Sequence, residues 1–318
     1  MKKKLAMYWG AGCGGCDVSL LGIHEGILDV LESVDLVFWP CAMDIKYEDV
    51  KKMKDKSIDI VLYNGGIRTA ENEEMAKLLR KKAKILVAYG SCASEGCVIG
   101  LANLSTREEI FKTAYLQNET TPNEEGVLPK EKVKVDSEEL ELPEFLPYLK
   151  TLDQVVPIDC VIPGCPPPAN VVQTALTALI KGEFPKEFGL EKALCDECPR
   201  EKPEKIHIEK FFRPHEVIAD PKTCFLEQGI ICMGPATRGG CGAECPIGNF
   251  PCTGCMGPTM KVEDQGASMI SAISSLLDEE MSEEEEQEIL KKIEDVIGTF
   301  YKYRAAKLLP KGRVKDED

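Results

Sequence analysis

The chain has 318 residues, of which 43% are apolar, and its 39 lysines and arginines face 54 aspartates and glutamates, a formal net charge of −15. That apolar share supports at least one packed core and excludes a chain disordered throughout. So acidic a surface repels phosphate backbones and anionic lipid, which sets nucleic acid and a membrane surface aside as partners.

Residues 5–9 predict a strand that runs into the glycine-rich turn Gly10-Ala11-Gly12-Cys13-Gly14-Gly15-Cys16. Residues 17–32 carry Leu20, Leu21, Ile23, Ile27, Leu28 and Leu31 near helical spacing. Residues 34–39 and 58–63 predict a second and a third strand. Residues 71–82 predict an amphipathic helix, rich in glutamate at its start and in lysine and arginine at its end, as the helix dipole favours. Residues 85–89 and 155–162 predict the fourth and fifth strands, and residues 169–180 a helix after a proline run. Continuous apolar strands alternating with helices indicate an α/β fold with a parallel sheet covered on both faces. The polar excursion at residues 118–154 is long enough to be functional or partner-contacting, or to be a plain surface insertion.

From about residue 184 the texture changes. Prolines, glycines and cysteines crowd residues 195–257 with no persistent strand or helix pattern. Such a segment is expected to lack a conventional core and to take its order from bound metal. Residues 267–277 and 284–302 predict two helices, the second opened by a capping box of Ser282 and Glu285. Its stripe of Ile289, Ile293, Val296, Ile297 and Phe300 is expected to pack on the protein itself, with partner docking as the alternative.

Fifteen cysteines stand against three histidines. An odd number cannot form a complete disulfide set, and a chain of this length has no need of disulfide staples. Met1-Lys2-Lys3-Lys4 and the short run at residues 5–9 fall short of a secretory signal, and no twin-arginine pair precedes them. A cytoplasmic setting with reduced cysteines is therefore expected, and reduced cysteines at this density usually hold metal. Cys13 and Cys16 follow the first predicted strand, Cys92 the fourth and Cys165 the fifth. Parallel strands end on the same side, so these thiols are expected along the carboxyl edge of the sheet, where open α/β folds bind ligands. Four converging thiolates hold either a cubane cluster or a zinc ion.

Eight more cysteines divide into Cys195-x2-Cys198 with Cys224 and Cys232, and Cys241-x3-Cys245 with Cys252-x2-Cys255. Proline follows Cys165, Cys198 and Cys245, as at the last cysteine of bacterial ferredoxin runs. Glycines at 239, 240, 242, 254 and 257 expose N–H groups that can bond cluster sulfides. Paired C-x2-C motifs also serve zinc ribbons, but three sets with proline after cysteine favour clusters. Cys41, Cys97 and Cys160 remain, expected as small buried apolar residues. Cys97, five residues after Cys92, is the rival for a ligand position. Gly10-x-Gly12-x-x-Gly15 formally matches a dinucleotide fingerprint, yet the second strand ends in Trp39-Pro40 with no acid for a ribose. His24, His207 and His215 receive no role, and no catalytic residue is assigned.

These pieces together resemble the small subunit of [NiFe] hydrogenases. The likeness rests on Cys13-x2-Cys16, Gly90-Ser91-Cys92-Ala93, Gly164-Cys165-Pro166-Pro167 and the order and approximate spacing of the later cysteines, over roughly residues 1–260. It implies a flavodoxin-like, doubly wound domain at residues 1–182 with a proximal cluster on Cys13, Cys16, Cys92 and Cys165. It implies a loop-rich domain at residues 183–265, with a distal cluster on Cys195, Cys198, Cys224 and Cys232 and a medial one on Cys241, Cys245, Cys252 and Cys255. Residues 266–318 are expected as a C-terminal helical extension. Two departures carry information: Cys195 stands where many members have a histidine, and Cys245 restores a medial ligand that many lack. Three [4Fe-4S] clusters are therefore expected, and all-thiolate four-iron clusters generally suit low potentials.

With no secretion signal, the pattern looks like the cytoplasmic, methyl-viologen-reducing, deazaflavin-independent branch that works with heterodisulfide reductase. The C-x2-C-x2-C-x3-C-P run of the deazaflavin-reducing relatives is absent. So are the nickel motifs of the family's large subunit, Arg-x-Cys-Gly-x-Cys and Asp-Pro-Cys-x-x-Cys. The implied role is electron transfer from a separate large subunit to an iron–sulfur or flavin partner. The alternatives are the iron–sulfur subunit of a related sulfur-reducing complex and a zinc-bound structural protein. The C-terminal helices are a candidate for setting partner contacts.

Overall fold

A computed structural model of the chain describes residues 2–206, 208, 210–259, 261–277 and 282–308. The strands are β1 (Lys3–Trp9), β2 (Val34–Phe38), β3 (Ile58–Asn64), β4 (Ile67–Thr69), β5 (Ala83–Tyr89), β6 (Lys132–Val135), β7 (Glu138–Glu141), β8 (Phe145–Lys150) and β9 (Cys160–Ile162). Five of them form one sheet in the order β2-β1-β3-β5-β9. Every pairing in it is parallel.

Side chains alternate across the sheet. Leu5, Met7, Ile60, Leu62 and Val87 face helices Gly15–Leu21, Gly26–Ser33 and Ala169–Lys181, which supply Leu20, Val30, Val172 and Leu176. Ala6, Tyr8, Val61, Tyr63 and Leu86 face helices Tyr47–Lys52 and Ala70–Lys82, which supply Val50, Met75 and Leu79. Both faces are covered, which is why residues 5–9, 60–63 and 85–89 read as unbroken apolar runs. The α/β, doubly wound expectation holds.

Several expected elements are corrected. The helix at residues 17–32 is two helices, parted at residues 22–25 with His24 at φ 52°. Gly22 and Gly26 weaken a continuous helix there by ~1 kcal/mol each relative to alanine. The fifth strand spans only Cys160–Ile162, because Pro157 has no N–H for a ladder and residues 152–154 coil into a short 3-10 turn. The excursion at residues 118–154 is not structureless. It holds the β6–β7 hairpin, with Asp136 at φ 56° in its two-residue turn. It also holds β8, which pairs antiparallel with β4.

The cysteine-rich segment does have a core. Leu194, Phe211, Phe225, Leu226, Ile230 and Met233 pack with Met269, Ile273, Ile289 and Phe300 of the later helices. Buried Arg200 donates to the carbonyls of Asp220 (2.7 Å), Thr223 (2.8 Å) and Pro246 (3.2 Å). Its guanidinium lies 3.7 Å over the Phe225 ring. Arg238 serves the carbonyls of Pro258 and Phe188 in the same way. Five donors on one planar head let each arginine bind several main-chain carbonyls at once.

Helix Gln265–Ser274 is capped by the Asp264 carboxylate, which accepts the Ala267 N–H at 2.9 Å. The helix expected at 284–302 is interrupted, as Glu283–Lys291 and Val296–Phe300. The Asp295 carboxylate accepts the Gly298 N–H at 2.7 Å and starts the second piece. The break turns Val296 outward, 46% exposed, while Ile289 and Phe300 stay in the core. The stripe thus packs largely on the protein itself. The Glu285 side chain of the expected capping box, His207 and residues 309–318 lie outside the described residues. Among the described residues no helix is long and apolar enough to cross a membrane.

Candidate metal centres

The carboxyl ends of β1, β5 and β9 lead straight into cysteine turns. Gly10 N–H donates to Asn64 O at 2.7 Å, so the first turn stays pinned to the end of β3. Cys13 and Cys16 follow in that turn, Cys92 follows Gly90, and Cys165 follows Gly164. Cys13, Cys16, Cys92 and Cys165 line one open hollow with Gly12, Ser91 and Pro166. Cys16 is buried, Cys92 half-buried, and Cys13 and Cys165 exposed. Gly90 sits at φ 82°, and a Cβ there would lie 2.3 Å from Cys16 Sγ. Burial, and then the sulfurs of Cys92, Cys165 and Cys13, push the Cys16 thiol well above its ordinary pKa.

Two partners of this turn escaped the sequence reading. The buried Asp17 carboxylate accepts Trp39 Nε1–H at 2.7 Å and the Asn64 amide at 2.9 Å. It ties helix Gly15–Leu21 to the ends of β2 and β3. An acid directly after a cysteine turn was the available signal.

Cys160 is buried in the core, as expected. Cys41 is not; it is exposed in the turn after Pro40. Cys97 is buried but is more than a small apolar residue. Its thiol donates to Cys165 Sγ at 3.3 Å and acts on Cys92 as well. That contact lowers the pKa of Cys92, and that of Cys165 to about 7, against the opposing effect of burial. The spacing left Cys97 open; the fold brings it against the site.

Eight later thiols gather in two neighbourhoods. Burial, followed by Cys232, Cys224 and Cys198 and opposed by Lys202, pushes Cys195 up to about 12. Cys241 is pushed up to about 11 by burial, with Glu197 and Cys245 adding to it while the N–H groups of Ala243 and Glu244 pull back. Cys255 rises to about 12 by burial, with Cys241 and Cys245 among the contributing sulfurs. Cys252 is raised first by burial and then by Cys232 and Cys255.

Backbone N–H groups link the sets. The main-chain N–H of Cys165 pulls back against the rise at Cys255, and Cys252 N–H donates to Cys232 Sγ at 3.3 Å. Ser91 Oγ donates to Cys255 O at 2.5 Å and accepts Gly164 N–H at 3.3 Å. The Cys165 neighbourhood therefore joins that of Cys255, which joins that of Cys232. Sulfur acceptors ringed by N–H donors suit thiolate ligands and tune what they hold. The four cysteines at the sheet edge line one shared hollow. Among the described residues no three Cys, His, Asp or Glu side chains gather closely enough for a single metal ion. A multi-atom thiolate-held cluster fits this arrangement.

The family model described as NADH ubiquinone oxidoreductase, 20 Kd subunit, matches residues 13–179. The G subunit of the F420-non-reducing hydrogenase of Methanothermobacter marburgensis is 41% identical over 322 residues, covering 99% of this chain and 98% of its own. The iron-sulfur G subunit of the F420-non-reducing hydrogenase of Archaeoglobus profundus is 39% identical over 312 residues, covering 95% and 96%. A chain of the Dm. baculatum [NiFeSe]-hydrogenase shares the fold, with a TM-score of 0.51 and 20% identity over 82% of this chain and 96% of that one. Identity along nearly the whole length, on a parallel sheet whose carboxyl edge gathers the cysteines, leads to one conclusion: the chain belongs to the [NiFe] hydrogenase small-subunit family, alongside the G subunits of F420-non-reducing hydrogenases.

Proposed function

We propose that the chain is the electron-transfer subunit of a [NiFe] hydrogenase and holds three [4Fe-4S] clusters. Cys13, Cys16, Cys92 and Cys165 would hold the proximal one at residues 1–182. Cys241, Cys245, Cys252 and Cys255 would hold the medial one, and Cys195, Cys198, Cys224 and Cys232 the distal one, at residues 183–265. The observation that carries this reading is the pair of contacts joining the sets: Ser91 Oγ, beside Cys92, donates to Cys255 O, and Cys252 N–H donates to Cys232 Sγ. It supports a linear order of proximal, medial and distal sets. Bound clusters supply one-electron carriers. The chain's own residues position the thiols, exclude water from Cys16, Cys232 and Cys252, and aim donors at the sulfurs.

Hydrogen would be split on a separate large subunit, whose nickel motifs this chain lacks. Trp9, Val18 and Leu21 remain exposed on the turn and helix beside the proximal hollow. An apolar surface there suits a covering protein partner. Electrons would leave toward a heterodisulfide reductase complex. We place the protein in the cytoplasm, a setting supported by the fifteen free cysteines.

The test is to isolate the complex from its source under anaerobic conditions. The reading predicts a hydrogenase large subunit and heterodisulfide reductase subunits bound to this chain, and hydrogen-dependent viologen reduction. A sulfur reductase partner without heterodisulfide reductase would contradict the partner assignment. In a Cys245→Ser variant, only the medial signal should disappear or convert to a three-iron form by paramagnetic resonance. Unchanged medial signals would remove Cys245 from the ligand set.

A further inference from the structure

Residues 301–308 lie across the two loops that carry neighbouring thiol sets. The carbonyl of Tyr303 accepts the N–H of Cys97 at 2.9 Å. The Tyr303 hydroxyl shares a 3.0 Å hydrogen bond with the hydroxyl of Thr253, which stands between Cys252 and Cys255. One residue therefore meets the proximal loop through its main chain and the medial loop through its side chain. Sulfurs from both sides, Cys255, Cys165 and Cys97, act electrostatically on its hydroxyl.

The neighbours of Tyr303 hold it there. Arg304 Nε donates to Glu95 Oε2 at 2.6 Å, and Arg304 Nη1 donates to Glu263 O at 2.5 Å. Lys307 Nζ donates to Ser94 O at 3.1 Å and pairs with Asp153 at 3.3 Å. The Ala306 methyl fills a groove made by two glycines of the same loop. A Cβ on Gly96 would come 2.3 Å from it, and one on Gly100 2.8 Å. Cys97 sits at φ 54°, ψ −162°, a glycine-type conformation that strains any other residue. Its N–H bond to Tyr303 helps hold that conformation, and the conformation delivers its thiol to Cys165. The proximal loop is thus shaped from behind by the end of the chain.

We propose that residues 301–308 are a strap that fixes the proximal and medial thiol sets relative to each other, with Tyr303 as the positioning residue at their junction. The proposal rests on those sets holding clusters. Electron exchange between two carriers falls steeply with separation, so a strap that holds the gap also sets the rate across it. The strap is then an internal part of the electron path and not a docking arm.

The test uses the full chain in the intact complex with its large subunit. Tyr303→Phe removes only the hydroxyl, and Ala306→Leu lifts the strap from Gly96 and Gly100. Iron and sulfide are measured first, then magnetic coupling between the reduced proximal and medial clusters, then the rate of medial reduction after mixing with hydrogen. Both variants should keep their iron, show altered coupling, and slow medial reduction by the ~10-fold typical of losing an outer-shell partner at a metal site. Proximal reduction should keep its rate, a pattern that a general loss of stability does not produce. Ala306→Ser, which preserves the fit, should behave as the parent. If Ala306→Leu fails to fold, Tyr303→Phe decides alone. Wild-type coupling and rate in the iron-loaded Tyr303→Phe variant would overturn the strap. A parent complex without iron and sulfide would instead overturn the cluster reading.

Discussion

A Gly90→Ala chain is expected to lose its proximal site while keeping its sheet. Gly90 directly follows β5 at φ 82° with ψ 162°, a region open in practice to glycine alone. Its N–H donates to Ile162 O at 2.8 Å, and the next residue's N–H donates to Gly164 O at 2.8 Å. The backbone is therefore pinned on both sides and cannot turn away. Backbone strain alone costs ~1–3 kcal/mol, which the fold can absorb. The new methyl adds a direct collision, 2.3 Å from Cys16 Sγ. Cys16 is buried and tied in place through its neighbour Asp17, so the sulfur has little room to yield. Hydrogen-dependent viologen reduction should fall by ~100-fold, the upper range for disturbing the support of a metal site. The proximal resonance signal should vanish, with medial and distal signals kept. Gly182→Ala is the control: it also carries a positive φ, of 88°, but its Cβ would meet nothing nearer than Lys3 Nζ at 3.7 Å. It should show strain without loss of the site. Wild-type activity in Gly90→Ala would mean that Cys16 is not held where the structure has it.

Removing the Arg304 guanidinium should destabilise the chain by ~3–5 kcal/mol, the cost of breaking a buried ion pair by deleting one partner. The Arg304 and Glu95 side chains are only 10% and 12% exposed, with Nε 2.6 Å from Oε2. Arg304→Met also orphans the Glu263 carbonyl. Lys307 Nζ, 3.7 Å from the other oxygen of Glu95, leaves some compensation, so the lower end of that range is expected. Unfolding in denaturant measures the loss. The double variant Arg304→Met, Glu95→Leu should recover part of it, because no buried carboxylate is then left unpaired. A loss within ~0.5 kcal/mol, as for ordinary surface positions, would mean that residues 301–308 do not bear on the proximal loop.

Much of this arrangement was legible in the sequence. Residues 60–63 and 85–89 are apolar without alternation because both faces of the sheet are covered. Once strands of one direction are placed side by side, Cys13, Cys16, Cys92 and Cys165 must share an edge. What was hidden depends on partners distant along the chain. Nothing near Phe211 or Phe225 announces that Met269, Ile273 and Phe300 will cover them. Arg200 and Arg238 look like surface charges until their carbonyl partners are known. Spacing could not decide Cys97, because its nearness to Cys165 depends on a backbone conformation that tyrosine at position 303 helps to hold. The turn at residues 22–25 was hidden by an apolar pattern that continues on both sides of it. The β6–β7 hairpin was hidden by its charge, since its alternating residues face solvent on both sides.

The most direct measurement is acid-labile sulfide and iron per chain in the anaerobically isolated complex, with paramagnetic resonance of its reduced and oxidised forms. The three thiol sets predict about twelve sulfides per chain, from three four-iron clusters each held by four thiolates. They also predict no three-iron signal in the native oxidised protein. Zinc bound without sulfide would contradict the account.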